Sequence, residues 1–479
     1  MRKVLLLAVL VVALMAMPAL ASVQNIKVSG DIETTALIRD QFDLGDTTIS
    51  NNYYQNLLIT QTRLRVDADL TDNVSTTVRL INERAWNQES SSDTDIDLNL
   101  AYVTLREMLY SPLTVIIGRQ EFAYGNSFVI DSAGTNNTIS AGGLNGVAED
   151  LSKRTALDAV RLVLDYNPLT IDLVAAKVDA NTLAGAGLQD DDVDLFGINA
   201  NYQLGDDMDT VVEGYFWAKI DQSTKRDNSV VGVYGDKAET VYMPGLRASA
   251  NVLDGLNVQA ELAWQMGDEI QVLVDPDTGA DSKGNQIKRS AMAAQLMSTY
   301  KLPFEKTKEY NPVITSVYTY VSGDSGPSDG TNPANNDERY TAWDPMLENQ
   351  SGGKIYNTLF NLTNCHVSSL KAQVNPIEDV TAIFEWTGLM LDKELKDTTS
   401  PDKGTSTLMT LYQPDQNNIT PTMTSDKWLG NEFDFSLIYD YTEDVQFGAS
   451  MGWFYPGPAF SSDNDQVASQ WMLNAKAKF

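Results

Sequence analysis

Arg63-Leu64-Arg65-Val66-Asp67-Ala68-Asp69-Leu70, then Thr71-Asp72-Asn73, then Val74-Ser75-Thr76-Thr77-Val78-Arg79-Leu80, is the stretch that decides the fold class. Leu64, Val66, Ala68 and Leu70 share one parity, and Arg63, Arg65, Asp67 and Asp69 share the other. A helix repeating every 3.6 residues cannot separate these two sets. An extended strand does, because successive side chains point to opposite faces. The Thr-Asp-Asn cluster between the two runs is turn chemistry. The segment therefore reads as a hairpin with one apolar and one polar face.

The same period recurs outward from this hairpin. Leu256, Val258, Ala260, Leu262 and Trp264 alternate with Asn257, Gln259, Glu261 and Gln265. Phe433, Phe435, Leu437, Tyr439 and Tyr441 alternate with Glu432, Asp434, Ser436 and Asp440. Val445, Phe447, Ala449, Met451 and Trp453 follow the same rule, as do Trp471, Leu473, Ala475, Ala477 and the terminal Phe479.

Three features separate this pattern from a soluble sandwich. The runs are about 10 to 15 residues long, the length of a tilted membrane strand rather than a globular one. Connections alternate short and long. Short turns are expected at 71–73, 111–112, 167–168, 205–207, 254–255, 375–376 and 443–444. Long loops are expected near 40–54, 87–95, 125–155, 181–192, 222–238, 268–286, 323–354, 394–426 and 455–466. Aromatics near strand ends (Phe122, Tyr124, Tyr202, Phe216, Trp264, Tyr300, Trp386, Tyr441 and Trp453) fit interfacial girdles. The count is about 18 strands, which puts both termini at the short-turn, periplasmic end.

Composition excludes much else. The chain has 479 residues, 34 Lys and Arg against 65 Asp and Glu, and a formal net charge of -31. That balance argues against nucleic acid, which needs a basic surface. One Cys and one His rule out a disulfide framework, zinc sites of the usual ligands and most His-based catalysis. Cys365 and His366 are adjacent on a strand and so face opposite ways, which denies them mutual reach as a catalytic pair. No cofactor and no metal site is expected, and the chain is not expected to be an enzyme. Carboxylate clusters at Asp190–Asp192, Asp275–Asp281 and Asp324–Glu338 lack EF-hand spacing and read as solvated loops.

Arg2 and Lys3, the apolar run Val4–Met17, Pro18 and the small residues Ala19-Leu20-Ala21 form a secretory signal, with cleavage expected near Ala21. Residues 22–479 then constitute one domain. An exported chain with apolar strand faces and polar reverse faces closes on itself in lipid, since only a closed sheet leaves no unpaired edge. The expected architecture is all-β: a single transmembrane antiparallel barrel in a bacterial outer membrane. The polar faces cannot form a dry core and are expected to line water.

Two stretches resemble the alginate-export family of outer-membrane barrels. One is Ile117-Gly118-Arg119-Gln120-Glu121-Phe122-Ala123-Tyr124-Gly125, with Lys153-Arg154-Thr155-Ala156-Leu157-Asp158-Ala159-Val160-Arg161 after it. The other is Leu429-Gly430-Asn431-Glu432-Phe433-Asp434, leading to Gly452-Trp453-Phe454-Tyr455-Pro456-Gly457. The resemblance implies a porin-like barrel of 18 strands. It also implies basic residues at a constriction, for which Arg119 and Arg161 are the matching positions. The sequence departs where Asn126-Ser127-Phe128 follows Tyr-Gly in place of an Arg, and in its acidity.

By parity and resemblance the pore-lining, charge-selecting residues are Arg119, Arg161, Arg63, Arg65, Arg79, Glu121, Asp67, Glu83, Arg247 and Glu261, with Arg119 the foremost. A mixed lining sorts ions by charge; a salt-bridged wall that only stiffens the barrel is the bland reading. An inward-folding long loop, 125–155 or 323–354, is expected to set the constriction. The function read from these features is a passive channel for small hydrophilic solutes or ions, with export of an anionic polysaccharide as a special case. The alternative is a barrel sheath for a periplasmic multihaem partner in an electron conduit. Expected partners are outer-membrane lipid and lipopolysaccharide, the assembly machinery through Phe479, the solutes themselves, and a homo-oligomer or periplasmic protein.

Overall fold

The computed structural model of the protein describes residues 25–45, 54–87, 96–133, 144, 148–180, 192–222, 238–274, 281–303, 308–324, 339–349, 353–394 and 423–479. The signal region lies outside these residues, as do the carboxylates at 190–191, 275–277 and 329–338. The strands are β1 (Asn25–Asp40), β2 (Gln55–Thr71), β3 (Val74–Ala85), β4 (Asp97–Leu105), β5 (Leu113–Gln120) and β6 (Leu157–Asp165). They continue with β7 (Leu169–Ala180), β8 (Asp192–Gln203), β9 (Val211–Asp221), β10 (Glu239–Leu253), β11 (Leu256–Val274), β12 (Asp281–Lys301) and β13 (Val313–Val321). After the two-residue β14 (Arg339–Tyr340) come β15 (Cys365–Ile377), β16 (Val380–Leu391), β17 (Trp428–Asp440), β18 (Val445–Pro456) and β19 (Ala468–Lys478).

All belong to one sheet of 19 strands. β1 returns to β19 with Asp31 opposite Lys478 and Asp40 opposite Ser469, so the sheet is closed. β14 lies parallel to β12 at Lys288 and Arg289, while β13 pairs directly with β15. The wall is thus an antiparallel barrel of the other 18 strands among the described residues.

The founding hairpin forms as read. Arg65 stands opposite Arg79, Val66 opposite Val78 and Asp67 opposite Thr77. Aliphatic and aromatic side chains cover the outside, among them Leu246, Leu262, Leu296, Leu370, Phe384 and Leu473, all exposed. In a bilayer these side chains meet hydrocarbon in place of water, which is the favourable transfer for apolar surface.

Three expectations need correction. Asn375 and Pro376 lie inside β15, and the turn falls at 378–379. The proline, which has no N–H to donate, sits where the β15–β16 register shifts between Val374 and Ile377. The loop expected at 268–286 is shorter, because β11 runs on to Val274 and β12 begins at Asp281. Most consequentially, the inward faces are not polar throughout. Towards the long-loop end they carry Val174, Leu195, Trp217, Met243, Val321 and Leu389, all buried in one apolar cluster.

That cluster packs against chain that enters the lumen between β5 and β6 and between β14 and β15. Phe128, Val129, Ile130, Trp343, Leu347, Ile355 and Leu359 belong to it. The two inward segments pair with each other: the Asp131 N–H donates to the Leu347 carbonyl at 2.7 Å, and the Asn349 N–H to the Ser127 carbonyl at 2.9 Å. Phe128 stacks on Trp343, with ring centroids 6.3 Å apart and planes 6° from parallel. Of the two loops offered as alternatives for the inward fold, both turn inward in their described parts. The aromatics Phe122 and Tyr124 go with them. Phe122 is buried in this cluster and Tyr124 packs against it, so neither lies on the outer girdle.

Candidate functional site

Buried carboxylates of the wall hold the inward segments by their backbone. Glu432, fully buried on β17, accepts the N–H groups of Lys354, Ile355 and Tyr356, the last two at 2.7 Å. Glu83, fully buried on β3, accepts the Lys153 N–H at 2.7 Å, the Ser152 hydroxyl at 2.6 Å and the Gln61 amide at 2.6 Å. Each carboxylate satisfies several donors that would otherwise be buried without partners, and charge-assisted bonds of this kind are the stronger ones. On the far side Lys219 of β9 donates to Asp344 at 2.5 Å, and Gln265 of β11 exchanges hydrogen bonds with the Asp344 backbone. Arg39 of β1 grips Asp150 through two nitrogens.

The residues singled out from sequence are mostly on the lumen wall, but engaged. Arg63 pairs with Asp31 at 2.8 Å, and Arg65 with Asp67 at 2.8 Å. The Thr77 hydroxyl adds a bond to Asp67 at 2.7 Å. Arg79 donates to Asn99 and to Glu121. Arg161 pairs with Asp172 and lies over the Tyr124 ring at 5.6 Å. Arg247 bridges Glu213 at 3.1 Å and Gln259 at 2.7 Å, while the Tyr215 hydroxyl donates to Glu261 at 2.8 Å. Gly245 has a specific part here: a Cβ at that position would stand 2.2 Å from the Tyr215 ring that reaches Glu261. These contacts form a cross-linked wall rather than a row of free charges.

Arg119 is placed differently from expectation. It stands opposite Asp158 on β6 and pairs with it at 3.1 Å. Two residues back, Ile117 and its opposite Val160 are exposed on the outer surface. Strand alternation therefore puts Arg119 and Asp158 outside, near the long-loop rim. Parity misled because Glu121 lies beyond the end of β5 and turns back into the lumen towards Arg79. Cys365 and His366 do face opposite ways: Cys365 is buried in the internal cluster, whereas His366 bonds the Tyr318 hydroxyl on the outer side.

Two lysines that the sequence did not single out lie on the inward segments, where no strand parity applies. Lys153 and Lys354 both line a cavity of about 330 Å³ bounded by β1, β2 and β16 to β19. Lys153 pairs with Glu33 at 2.6 Å, and Lys476 approaches the same carboxylate at 3.5 Å. One acid thus serves two cations, and Lys354 adds a third positive group to the cavity. Burial pushes the Lys153 ammonium below the ordinary lysine value; Glu33 opposes this, while Arg63 and Lys476 add to it. The signal available in the sequence was the position of Lys153 and Lys354 inside or at the edge of the two loops offered as alternatives for the inward fold.

A second cavity, of about 320 Å³, lies between β12, β13, β15 and β16 beneath the paired segments. Among the described residues no group of three or more His, Cys, Asp and Glu is arranged to hold a metal ion.

No curated protein matches the chain. Among solved structures, Acinetobacter baumannii OccAB1 is similar at a TM-score of 0.53 and 10% identity, covering 95% of this chain and 97% of that one. Pseudomonas aeruginosa OpdK, solved with vanillate, gives 0.53 at 9% identity, covering 95% and 99%. Pseudomonas aeruginosa OccK2 (OpdF), solved with glucuronate, gives 0.52 at 11% identity, covering 95% and 98%. These likenesses establish a shared fold, the outer-membrane porin barrel. The family model described as alginate export matches residues 25–474, which is nearly the whole barrel, so the chain belongs to the alginate-export family.

Proposed function

We propose that the protein is a passive outer-membrane channel for small hydrophilic solutes, selecting for carboxylates at its constriction. The observation that carries this reading is the shared cavity of Lys153 and Lys354, with Lys476 close by, Glu33 serving Lys153 and Lys476, and Asp434 beside Lys354. An excess of positive charge at a narrow aqueous passage lowers the barrier for anions and raises it for cations. The carboxylates present in two structural neighbours, glucuronate and vanillate, are of the size and charge that such a cavity suits. No bond is made or broken; the wall arginines keep the lumen rigid and the lysines choose.

Short solutes suit this lumen better than a polysaccharide, because the paired inward segments occupy much of its long-loop half among the described residues. A sheath for a multihaem partner would need that same space.

The test is the reversal potential of the reconstituted protein under a KCl gradient. Anion preference is expected, reduced about threefold in permeability ratio by Lys153→Met or Lys354→Met, and more by both. The preference should also fade as pH rises, beginning below the ordinary lysine value of about 10.4, because burial has lowered Lys153. A cation preference unaffected by either substitution would overturn the reading.

A further inference from the structure

We infer that the second cavity is a separate subsite for zwitterions, small solutes that carry both an ammonium and a carboxylate, such as α-amino acids. Its volume of about 320 Å³ lies at the lower end of the range for small-molecule sites. Two opposite charges line it, Lys371 on β15 and Glu385 on β16. They stand directly opposite each other in the β15–β16 register. Opposite charges at facing positions of neighbouring strands ordinarily pair. Here neither forms an ion pair among the described residues, and Glu385 instead accepts the Ser369 hydroxyl at 2.7 Å.

An ammonium and a carboxylate held apart on one wall attract a ligand bearing the converse pair. A simple anion would gain Lys371 but meet repulsion from Glu385, and a simple cation the reverse, so the arrangement discriminates against both. Around the charges, Thr315 and Asn349 supply hydrogen-bonding groups, and Met297 and Val317 offer an apolar surface to a short side chain. This differs in kind from the first cavity, where two lysines share Glu33 and positive charge is in excess. The inference goes beyond the carboxylate reading and stands on different residues.

The experiment is block of single-channel KCl current in the reconstituted full chain. The probes are L-glutamine, N-acetyl-L-glutamine, which keeps only the carboxylate, and L-glutaminamide, which keeps only the ammonium. L-Glutamine should interrupt the current at concentrations about tenfold below either derivative. Lys371→Met and Glu385→Gln should each weaken that block about tenfold, since each leaves one ligand charge facing an unbalanced wall. Should either single variant fail to insert, the charge-exchanged double variant Lys371→Glu with Glu385→Lys decides. Block retained within about threefold supports the subsite, and block lost overturns it. Glutamine acting no better than its N-acetyl derivative, or block unchanged in both single variants, would also overturn it. A channel that prefers cations in the KCl gradient yet shows the glutamine block would sink the carboxylate reading and leave this one standing.

Discussion

Lys219 reaches from β9 to Asp344, and this contact, with Arg289 close by, keeps a buried carboxyl of the inward segment ionised. Burial by itself would raise the Asp344 carboxyl, but Lys219 and Arg289 beside it and the Met346 N–H hold it below the usual carboxylate range. The sign follows from linkage. A carboxylate whose folded pKa is depressed stabilises the inward fold above its unfolded value of about 3.9, and loses that contribution only as pH falls through the lowered value. The Asp344 clamp itself should therefore hold from pH 7 down to about pH 4. Lys219→Met removes the principal attraction and leaves the burial, so the acid-induced change in conductance should move upward by about one pH unit or more. A titration of single-channel conductance in the two proteins decides this. An identical acid midpoint would show that Asp344 is held by something other than Lys219. At the same scale Arg119 shows why a matched motif does not assign a role: the residue type agrees with the family, but its strand parity turns it to the outer surface.

At the scale of elements, the two inward segments act as one body because each supplies half of an aromatic stack and half of a short ladder. Phe128 is fully buried against Trp343, and the backbone bonds from Asp131 and Asn349 tie the strips together. Phe128→Ala removes a large buried ring, a change of about 3–5 kcal/mol in ordinary cores. The wall clamps at Glu83 and Glu432 should keep the segments inside, so the expected outcome is looser packing rather than ejection: higher conductance with more open-channel noise. Trp343→Ala should do the same, and the double variant should fall short of the sum, because each ring's main partner is the other. Strictly additive effects would show that the stack does not couple the two segments.

For the whole molecule the decisive seam is β1 against β19. Beyond the strand pairing, Gly30 and Phe479 exchange backbone hydrogen bonds of 2.9 and 3.0 Å, and the Phe479 ring lies where a Cβ on Gly30 would stand, 2.6 Å away. The last residue thus fastens the barrel and occupies space that only a glycine leaves open. Deleting Phe479 removes both bonds and the ring contact. Folded, membrane-inserted protein should drop several-fold in cells, read as the heat-modifiable band on a gel. Refolding into detergent should suffer less, because the other 10 register pairs between β1 and β19 persist. Equal losses in both settings would argue that Phe479 matters for closure alone and not for recognition by the assembly machinery.

The sequence by itself determined the closed antiparallel barrel, its strand count, the alternation of short and long connections and the outward apolar face. These follow from period-two patterning such as Arg63–Leu70, and from the absence of any other way for strands to satisfy their backbone groups in lipid. Parity also identified most of the wall charges, Arg63, Arg65, Asp67, Arg79, Glu83, Arg161, Arg247 and Glu261. What those charges do was decided only by the tertiary structure, because an ion pair such as Arg63 with Asp31 depends on register between strands far apart in sequence. The packing of the described inward segments in the long-loop half of the lumen was hidden for a related reason. Trp217, Met243 and Leu389 occupy inward positions near strand ends, where an apolar residue reads as one more departure from alternation until chain from 122–130, 343–349 and 353–359 is seen to cover it. Lys153 and Lys354 reach the first cavity through loops, which carry no periodicity, so their place depends on the clamps at Glu83 and Glu432. Period-two chemistry builds the wall; contacts between distant segments decide what packs inside it.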